Sequence, residues 1–550
     1  MTAAANLPDV KGLPSRRTVL DIIFASGPYQ ASLKSRVPKR LSLVPVDVFP
    51  GDSDRADSIF QGHFDFAGNE MYMASPEPWY AEDQPLAWHK ELHEFAWLRD
   101  FSANGSEAAK RHSRALILSW ISHFETYAPY IWDEDVLSQR LLSWFCYSDF
   151  LMEPEDSDFN FKFLRSLRRQ YLHLSRISKR KSAFQDRFCL WQSLLYGTLC
   201  FPDLQKQTDK IMTSLEAELD RVVMTDGCHI SRNPEQHLIL LGHLVGLRNT
   251  LMAANVIVPI ILNNTIDRLA PAVRFFQHGD GRLALFNGGS QMDDGYCDTL
   301  LSVSDATGRA PHRFPQGGFE RLKAGRAFLL IETGEGGRSK QQLRHSGLLS
   351  FEFSYGRERL IVNCGGSRDL ESSWGKALAS TAAHSTLGFD NLNAVFPTSQ
   401  EAEAEHGAVV RNEEEGNVWL DVESTGYLSS VGLRHRRRIY MDASGLALRG
   451  EDQIIPEQQL SANRSHFKLR FHLHPDLSIS RSAGGKNILI RTPSGSGWKF
   501  LTGAPLLTLE ESVYCSIPGE RRHNQQIVIG GHIENGSPVR VKWALTRLSE

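Results

Sequence analysis

The chain has 550 residues, 41% of them hydrophobic and 23% charged, with a formal net charge of −3. That length exceeds a single core and implies two domains, and the near-balanced charge excludes the strong positive field of a nucleic-acid binder. Seven dispersed cysteines with no C-x-x-C pair argue against a disulfide framework and fit a reducing compartment. Residues 1–30 hold no long apolar run behind a basic stretch, and the short run at 19–25 contains Asp21. No segment approaches the ~20 apolar residues of a membrane span. A cytoplasmic location is expected, with the periplasm or cell envelope as the alternative.

In chain order, the first half reads as helix. Over residues 107–124, Leu116, Trp120 and Phe124 recur at i, i+4 and i+8, with Ile117 and Ile121 beside them. Lys110, Arg111 and Arg114 lie off that stripe, as an amphipathic helix requires. Residues 136–150 repeat the pattern with Leu137, Leu141, Trp144 and Phe145. Residues 236–254 are apolar nearly all round, which predicts an inner helix. Amphipathic helices in series imply stacked helical hairpins, and no repeat at a fixed period supports a regular solenoid.

Among these helices lies Asp226-Gly227-Cys228-His229-Ile230-Ser231-Arg232-Asn233-Pro234. A helical turn after Gly227 would point His229 and Arg232 into one pocket. A neutral imidazole can take a proton near pH 7, and a guanidinium can hold a carboxylate with two bonds. That pairing suits an acidic sugar. A plain loop whose polar groups cap the next helix accounts for the same residues.

The period then changes. Residues 348–354 alternate, 359–362 follow a turn at 355–357, and 466–474 alternate again. Residues 487–491, 498–501 and 539–545 are further short runs, separated by glycine-rich turns such as 482–486. This is an antiparallel sheet pattern. The switch falls near residues 305–325. The expected architecture is multidomain α+β, with a lead-in over 1–60, a helical domain over 61–310 and a layered β-domain over 311–550. A ligand cleft is expected at their junction.

Several segments occur together in a telling order: Phe64-Asp65-Phe66-Ala67-Gly68, the Phe-x-Trp-Leu within 92–98, the stretch 226–234, residues 345–352, residues 380–386 and Gly450-Glu451-Asp452. With them the chain resembles the heparinase II/III family of polysaccharide lyases. The resemblance implies an incomplete (α/α) toroid followed by an antiparallel β-sandwich. It also implies β-elimination at a uronic acid with no redox cofactor. Such a site neutralises the carboxylate, removes the C5 proton and protonates the leaving oxygen at C4.

By resemblance, His229 neutralises or acts as base, Arg232 binds a substrate carboxylate, and Asn233 helps polarise it. The family's tyrosine would fall within 278–287, where this chain has none and carries Leu283. Tyr296 is the nearest replacement. Many relatives open a strand with His-x-His-x-Asp; here the first histidine is Leu343 and the second is His345, a candidate catalytic partner. In some relatives that second histidine binds zinc, and the other ligands would fall on Asn363 and His384. Asparagine in place of aspartate removes the charged oxygen a divalent ion prefers, so zinc is an open option and not a requirement.

Other features admit two readings each. Arg434, Arg436 and Arg438 share one side of a predicted strand, and Arg436 could hold a polyanion or pair within a solvated sheet face. Trp144 could stack on a sugar ring or pack in a core. His472 and His474 share a strand face but make no complete metal site. The expected partner is an anionic polysaccharide or oligosaccharide, with no nucleic acid, no membrane span and the oligomeric state open. The leading activity is a lyase on uronate-containing glycans. The alternative is a non-catalytic carbohydrate-binding or cell-envelope protein on the same fold. A glycoside hydrolase would need two carboxylates facing one cleft, for which Glu235 and Asp280 are the nearby candidates.

Overall fold

The computed structural model describes residues 18–73, 77–180, 186–292, 295–334, 345–389, 392–394, 409–457, 466–482, 487–533 and 537–548. The chain folds as two compact units, Met1–Val222 with Leu240–Ile266, and Val223–Ile239 with Asp267–Glu550. The division is interleaved. A single break near residue 310 does not describe it, because residues 223–239 belong with the later part of the chain.

The first unit is helical apart from a short hairpin, His63–Phe66 with Asn69–Tyr72. Its main helices are α1 (Glu107–Phe124), α2 (Glu134–Cys146), α3 (Ser157–Ile177), α4 (Phe188–Cys200) and α5 (Thr208–Val222). Local sequence sets their ends. The Ser106 hydroxyl accepts from the amide of Ala109 to cap α1, and the Asp156 carboxylate does the same for Phe159 in α3. The stripes read from sequence are the buried faces: Leu116, Ile117, Trp120, Ile121 and Phe124 on α1, and Val136, Leu137, Leu141, Trp144 and Phe145 on α2. α2 packs against α3 and α4, and α4 against α5. Among the described residues, no helix is long and apolar enough to cross a membrane.

Two further helices follow, α6 (Pro234–Ala253) and α7 (Ile260–Phe276), then the shorter α8 (Tyr296–Val303). Apart from short helices such as Ser373–Ala379 and Leu428–Val431, the rest of the second unit is β-structure. Its strands are β1 (Arg313–Phe314), β2 (Phe319–Ala324), β3 (Ala327–Glu332), β4 (Phe351–Tyr355), β5 (Glu358–Val362), β6 (Leu387–Gly388), β7 (Val410–Glu414), β8 (Asn417–Tyr427) and β9 (Leu433–Met441). They continue with β10 (Ala447–Pro456), β11 (His466–Leu473), β12 (Ser478–Arg481), β13 (Asn487–Arg491), β14 (Gly497–Thr502), β15 (Leu506–Tyr514), β16 (Arg522–His532) and β17 (Val539–Arg547). One sheet has the order β15-β16-β11-β5-β4-β3-β2-β1, with β6 pairing β11; the other runs β12-β13-β14-β17-β10-β9-β8-β7. The strand pairings within both sheets are antiparallel.

Period-two alternation makes the core of this unit. Leu329, Ile331, Phe351, Phe353, Leu469 and Phe471 from one sheet share a single buried cluster with Leu420, Ile439, Ile454, Trp498, Phe500 and Trp543 from the other. Phe351 lies flat against Trp543, ring centroids 5.6 Å apart and planes 4° from parallel. That contact joins the two layers face to face.

Candidate functional site

In the second unit, the segment 223–239 carries the polar motif singled out in the sequence. An isolated antiparallel bridge between Val223 and His229 closes the turn at Gly227 (φ 92°), where a Cβ would lie 2.9 Å from the Arg268 carbonyl oxygen. Asn233 then caps α6: its Oδ1 accepts from the amides of Glu235 and Gln236 at 2.8 and 3.4 Å. Pro234, the first residue of the helix, needs no such acceptor. The capping reading therefore describes Asn233, and its amide oxygen is already engaged without a substrate.

Two loops clamp each other here. Asn233 Nδ2 donates to the carbonyl of Asn287 at 3.2 Å, and Asn287 Nδ2 donates to the carbonyl of Arg232 at 3.0 Å. The Ser290 amide donates to Glu235 at 3.1 Å, and Arg368 pairs with the other Glu235 oxygen at 2.5 Å. Gly288 and Gly289 have no substitute at this junction. A Cβ on the first would lie 2.7 Å from His345 Nε2, and on the second 2.6 Å from Asn233 Oδ1.

Arg232 is the centre of the cluster. It is 2% exposed and adopts φ 56°, a left-handed conformation that the surrounding bonds must hold. Its Nε donates to the carbonyl of Gly317 at 2.7 Å and its Nη2 to that of Gly318 at 3.2 Å. Nη2 also lies 3.0 Å from Glu332 Oε1, and the guanidinium sits 5.1 Å from the Phe319 ring centroid. Glu332 ends β3 and is 1% exposed. Burial pushes its carboxyl above the usual carboxylate range, against the pull of Arg232 and the Asn287 amide. Sequence reasoning missed Glu332; its one signal was a charged residue closing a six-residue run otherwise wholly apolar.

The histidines of the cluster are buried. His229 Nδ1 is 2.7 Å from the Ser231 hydroxyl, and the His229 amide donates to His237 Nε2 at 2.8 Å. His345 and His384 meet edge to face with ring centroids 5.7 Å apart. Neither ring nitrogen of His345 has a partner among the described residues. Burial lowers His345 and His237 to about 3 and His384 to about 4. Below pH 6.5 an unfolded chain takes up protons that these folded rings refuse, so acid favours unfolding. The stability of this unit is expected to fall as pH drops from 6.5 towards 4, by up to about 1.4 kcal/mol per pH unit for each ring. Urea unfolding midpoints that are equal at pH 7.5 and pH 5 would contradict this burial.

The proposed zinc ligands do not fit a metal. Asn363 Nδ2 donates to the carbonyl of Leu285 at 3.1 Å and its Oδ1 accepts from the Ser385 amide at 3.0 Å, so both ends of the side chain are bound. His384 Nδ1 faces the carbonyl of Ser380 at 2.8 Å. Among the described residues, no three His, Cys, Asp or Glu side chains are placed to hold an ion.

The remaining sequence candidates are placed elsewhere. Tyr296 opens α8, half-buried. Leu283 is fully buried, and its carbonyl accepts from Arg359 at 3.0 Å. Leu343 lies outside the described residues. Trp144 belongs to the first unit and is wholly buried against Phe95, Trp120 and Phe163. It is a core residue, because the apolar stripe of α2 turns inward. Arg436 is held by Asp421 through two bonds of 2.7 and 2.5 Å, as the paired-face reading requires. His472 contacts the carbonyl of Ala382 at 3.0 Å, and His474 is 3.5 Å from Asp476. Glu235 and Asp280 are not a carboxylate pair, since Asp280 is paired to Arg359 at 2.8 Å and Glu235 to Arg368.

Residues 306–544, which take in both sheets, match the family described as Heparinase II/III-like, C-terminal. The chain carries a heparinase II/III-like C-terminal domain. Its fold is that of solved heparinase III, with a TM-score of 0.74 at 14% identity over 94% of this chain and 88% of that one. A heparan sulfate lyase HepC mutant from Pedobacter heparinus matches with a TM-score of 0.61 at 15% identity, over 95% and 87%. At those identities the likeness is one of fold, and it bears out the helical first part and the antiparallel sandwich. The protein is also similar to FtsZ-localized protein C of Caulobacter vibrioides (strain NA1000 / CB15N), 29% identical over 545 residues, 95% of this chain and 93% of that protein.

Proposed function

We propose that this protein binds glycans without eliminating them, and acts in the cytoplasm beside the division apparatus. The observation that carries the reading is the Arg232–Glu332 pair. Elimination needs a cation left available for the substrate carboxylate, and here the guanidinium already faces a buried carboxylate and two carbonyls. A substrate would have to displace Glu332 and leave it buried without its counter-charge. His345, lowered to about 3, is too weakly basic to take a C5 proton efficiently near pH 7. The full-length similarity to a protein named for localising with FtsZ supports a division role. Seven free thiols, five of them buried, support a reducing compartment.

A second reading, lyase action on uronate-containing glycans, is favoured by the fold shared with heparinase III and by the imidazole of His345, whose ring nitrogens no side chain among the described residues engages. One assay separates them. The protein is incubated with alginate, heparan sulfate, hyaluronan, polygalacturonate and glucuronan while the ultraviolet absorbance of an unsaturated uronate is followed. No rise is expected. A rise that His229→Ala abolishes would establish elimination and overturn the proposal. A fluorescent fusion is expected to concentrate at the division plane, and uniform distribution would remove the division role.

A further inference from the structure

The outward face of the second sheet carries a groove of about 730 Å³ that the Arg232 cluster does not touch. It is formed by β7, β8, β9, β10, β17 and β14, all within the second unit. Strand register lays out its floor. Trp419 stands opposite Tyr440, Tyr440 opposite Arg449, Arg449 opposite Ala544, and Ala544 opposite Leu501. The small Ala544 leaves a hollow between the aromatic end and Leu501. Trp419 and Tyr440 have ring centroids 5.0 Å apart, and the Arg449 guanidinium lies 5.6 Å from the Tyr440 centroid.

Two residues along each strand, a second row runs parallel to the floor. Asp421 faces Arg438, Arg438 faces Glu451, and Glu451 faces Lys542. Arg438 bridges its two neighbours at 2.9 and 3.1 Å, and Lys542 lies 3.7 Å from Glu451. The charge alternates along this row, and the whole lining carries three acids (Glu414, Asp421, Glu451) and three bases (Arg438, Arg449, Lys542).

We propose that this groove binds an uncharged oligosaccharide, stacked on Trp419 and Tyr440 and hydrogen-bonded along the Asp421–Arg438–Glu451–Lys542 row. A pyranose ring has an apolar face and a rim of hydroxyls that donate and accept. An exposed aromatic floor matches the face, and a row alternating carboxylate with cation matches the rim. A lining with no net charge offers a polyanion no long-range attraction, which separates this ligand from a uronate polymer. The volume lies within the ~300–1,000 Å³ of small-ligand sites. The inference rests on the glycan-binding reading above and gives it a location distinct from Arg232.

Trp419 is 38% exposed and supplies its own probe, since it is the exposed tryptophan among the described residues. Calorimetric titration with cellotetraose, maltotetraose, chitotetraose and a tetra-uronate is expected to show binding to at least one of the three uncharged sugars. Trp419→Ala and Tyr440→Ala are each expected to weaken it about tenfold. The bound sugar is expected to shield Trp419 from acrylamide quenching in the unaltered protein, a readout that needs no variant. Circular dichroism of both variants serves as the check on folding. Binding that both substitutions leave unchanged, with no shielding, overturns the groove and spares the glycan-binding reading. Binding only to a tetra-uronate, weakened by salt, overturns the uncharged class. No binding to any tetrasaccharide overturns both.

Discussion

Replacing Arg232 with alanine is expected to lower the stability of the second unit by about 3–5 kcal/mol, the usual effect of breaking a buried ion pair by removing one partner. The substitution leaves the Gly317 and Gly318 carbonyls without their donor and Glu332 without its counter-charge at 1% exposure. Glu332 would then take up a proton, because burial already pushes its carboxyl upward. Arg232→Lys keeps a charge but not the planar fork, and is expected to recover only part of the loss. Guanidinium unfolding of the three proteins reads the difference. An Arg232→Ala protein with an unchanged midpoint, but with weakened binding of carboxylated sugars, would restore Arg232 as a substrate ligand.

A comparable loss is expected for Asp452→Ala. The Asp452 carboxylate accepts from Arg437 Nε and approaches His435 Nε2, both at 2.7 Å, and accepts from the Trp543 indole at 2.8 Å. The neighbouring Arg437 holds its carboxyl down to about 2 despite burial. Arg437 is fully buried, reaching on to the carbonyls of Leu349 at 2.6 Å and Ser385 at 3.0 Å. Alanine would strand that guanidinium in the sandwich core, at about 3–5 kcal/mol. Asp452→Asn keeps the shape and one acceptor oxygen, so its loss is expected to be smaller than that of alanine. Equal unfolding midpoints for Asp452→Ala and the unaltered protein would refute the network.

These two residues show where sequence reading reached and where it stopped. Asp452 was visible through Gly450-Glu451-Asp452, a segment of the family resemblance. The structure gives its reason: a Cβ on Gly450 would collide with the Trp543 ring, whose indole Asp452 receives. Helical stripes and strand alternation were legible because spacing fixes which side chains share a face. Leu116, Trp120 and Phe124 turned inward as expected, and so did every second residue of β9, leaving Arg434, Arg436 and Arg438 outside. Spacing says nothing of what stands opposite. Arg232 has the residue type of a substrate ligand, and its partner lies 100 positions away at the end of β3. Asn233 could be read as ligand or cap until the two amides it accepts were located. Trp144 on an apolar stripe gave no sign of exposure, and it has none.

The interleaving of the two units has a practical reach. Any truncation that begins near residue 306, where the family match starts, discards residues 223–239. Such a fragment would keep Glu332 and the Gly317–Gly318 carbonyls but lose the guanidinium that neutralises them. The recognisable sandwich is therefore not a portable module.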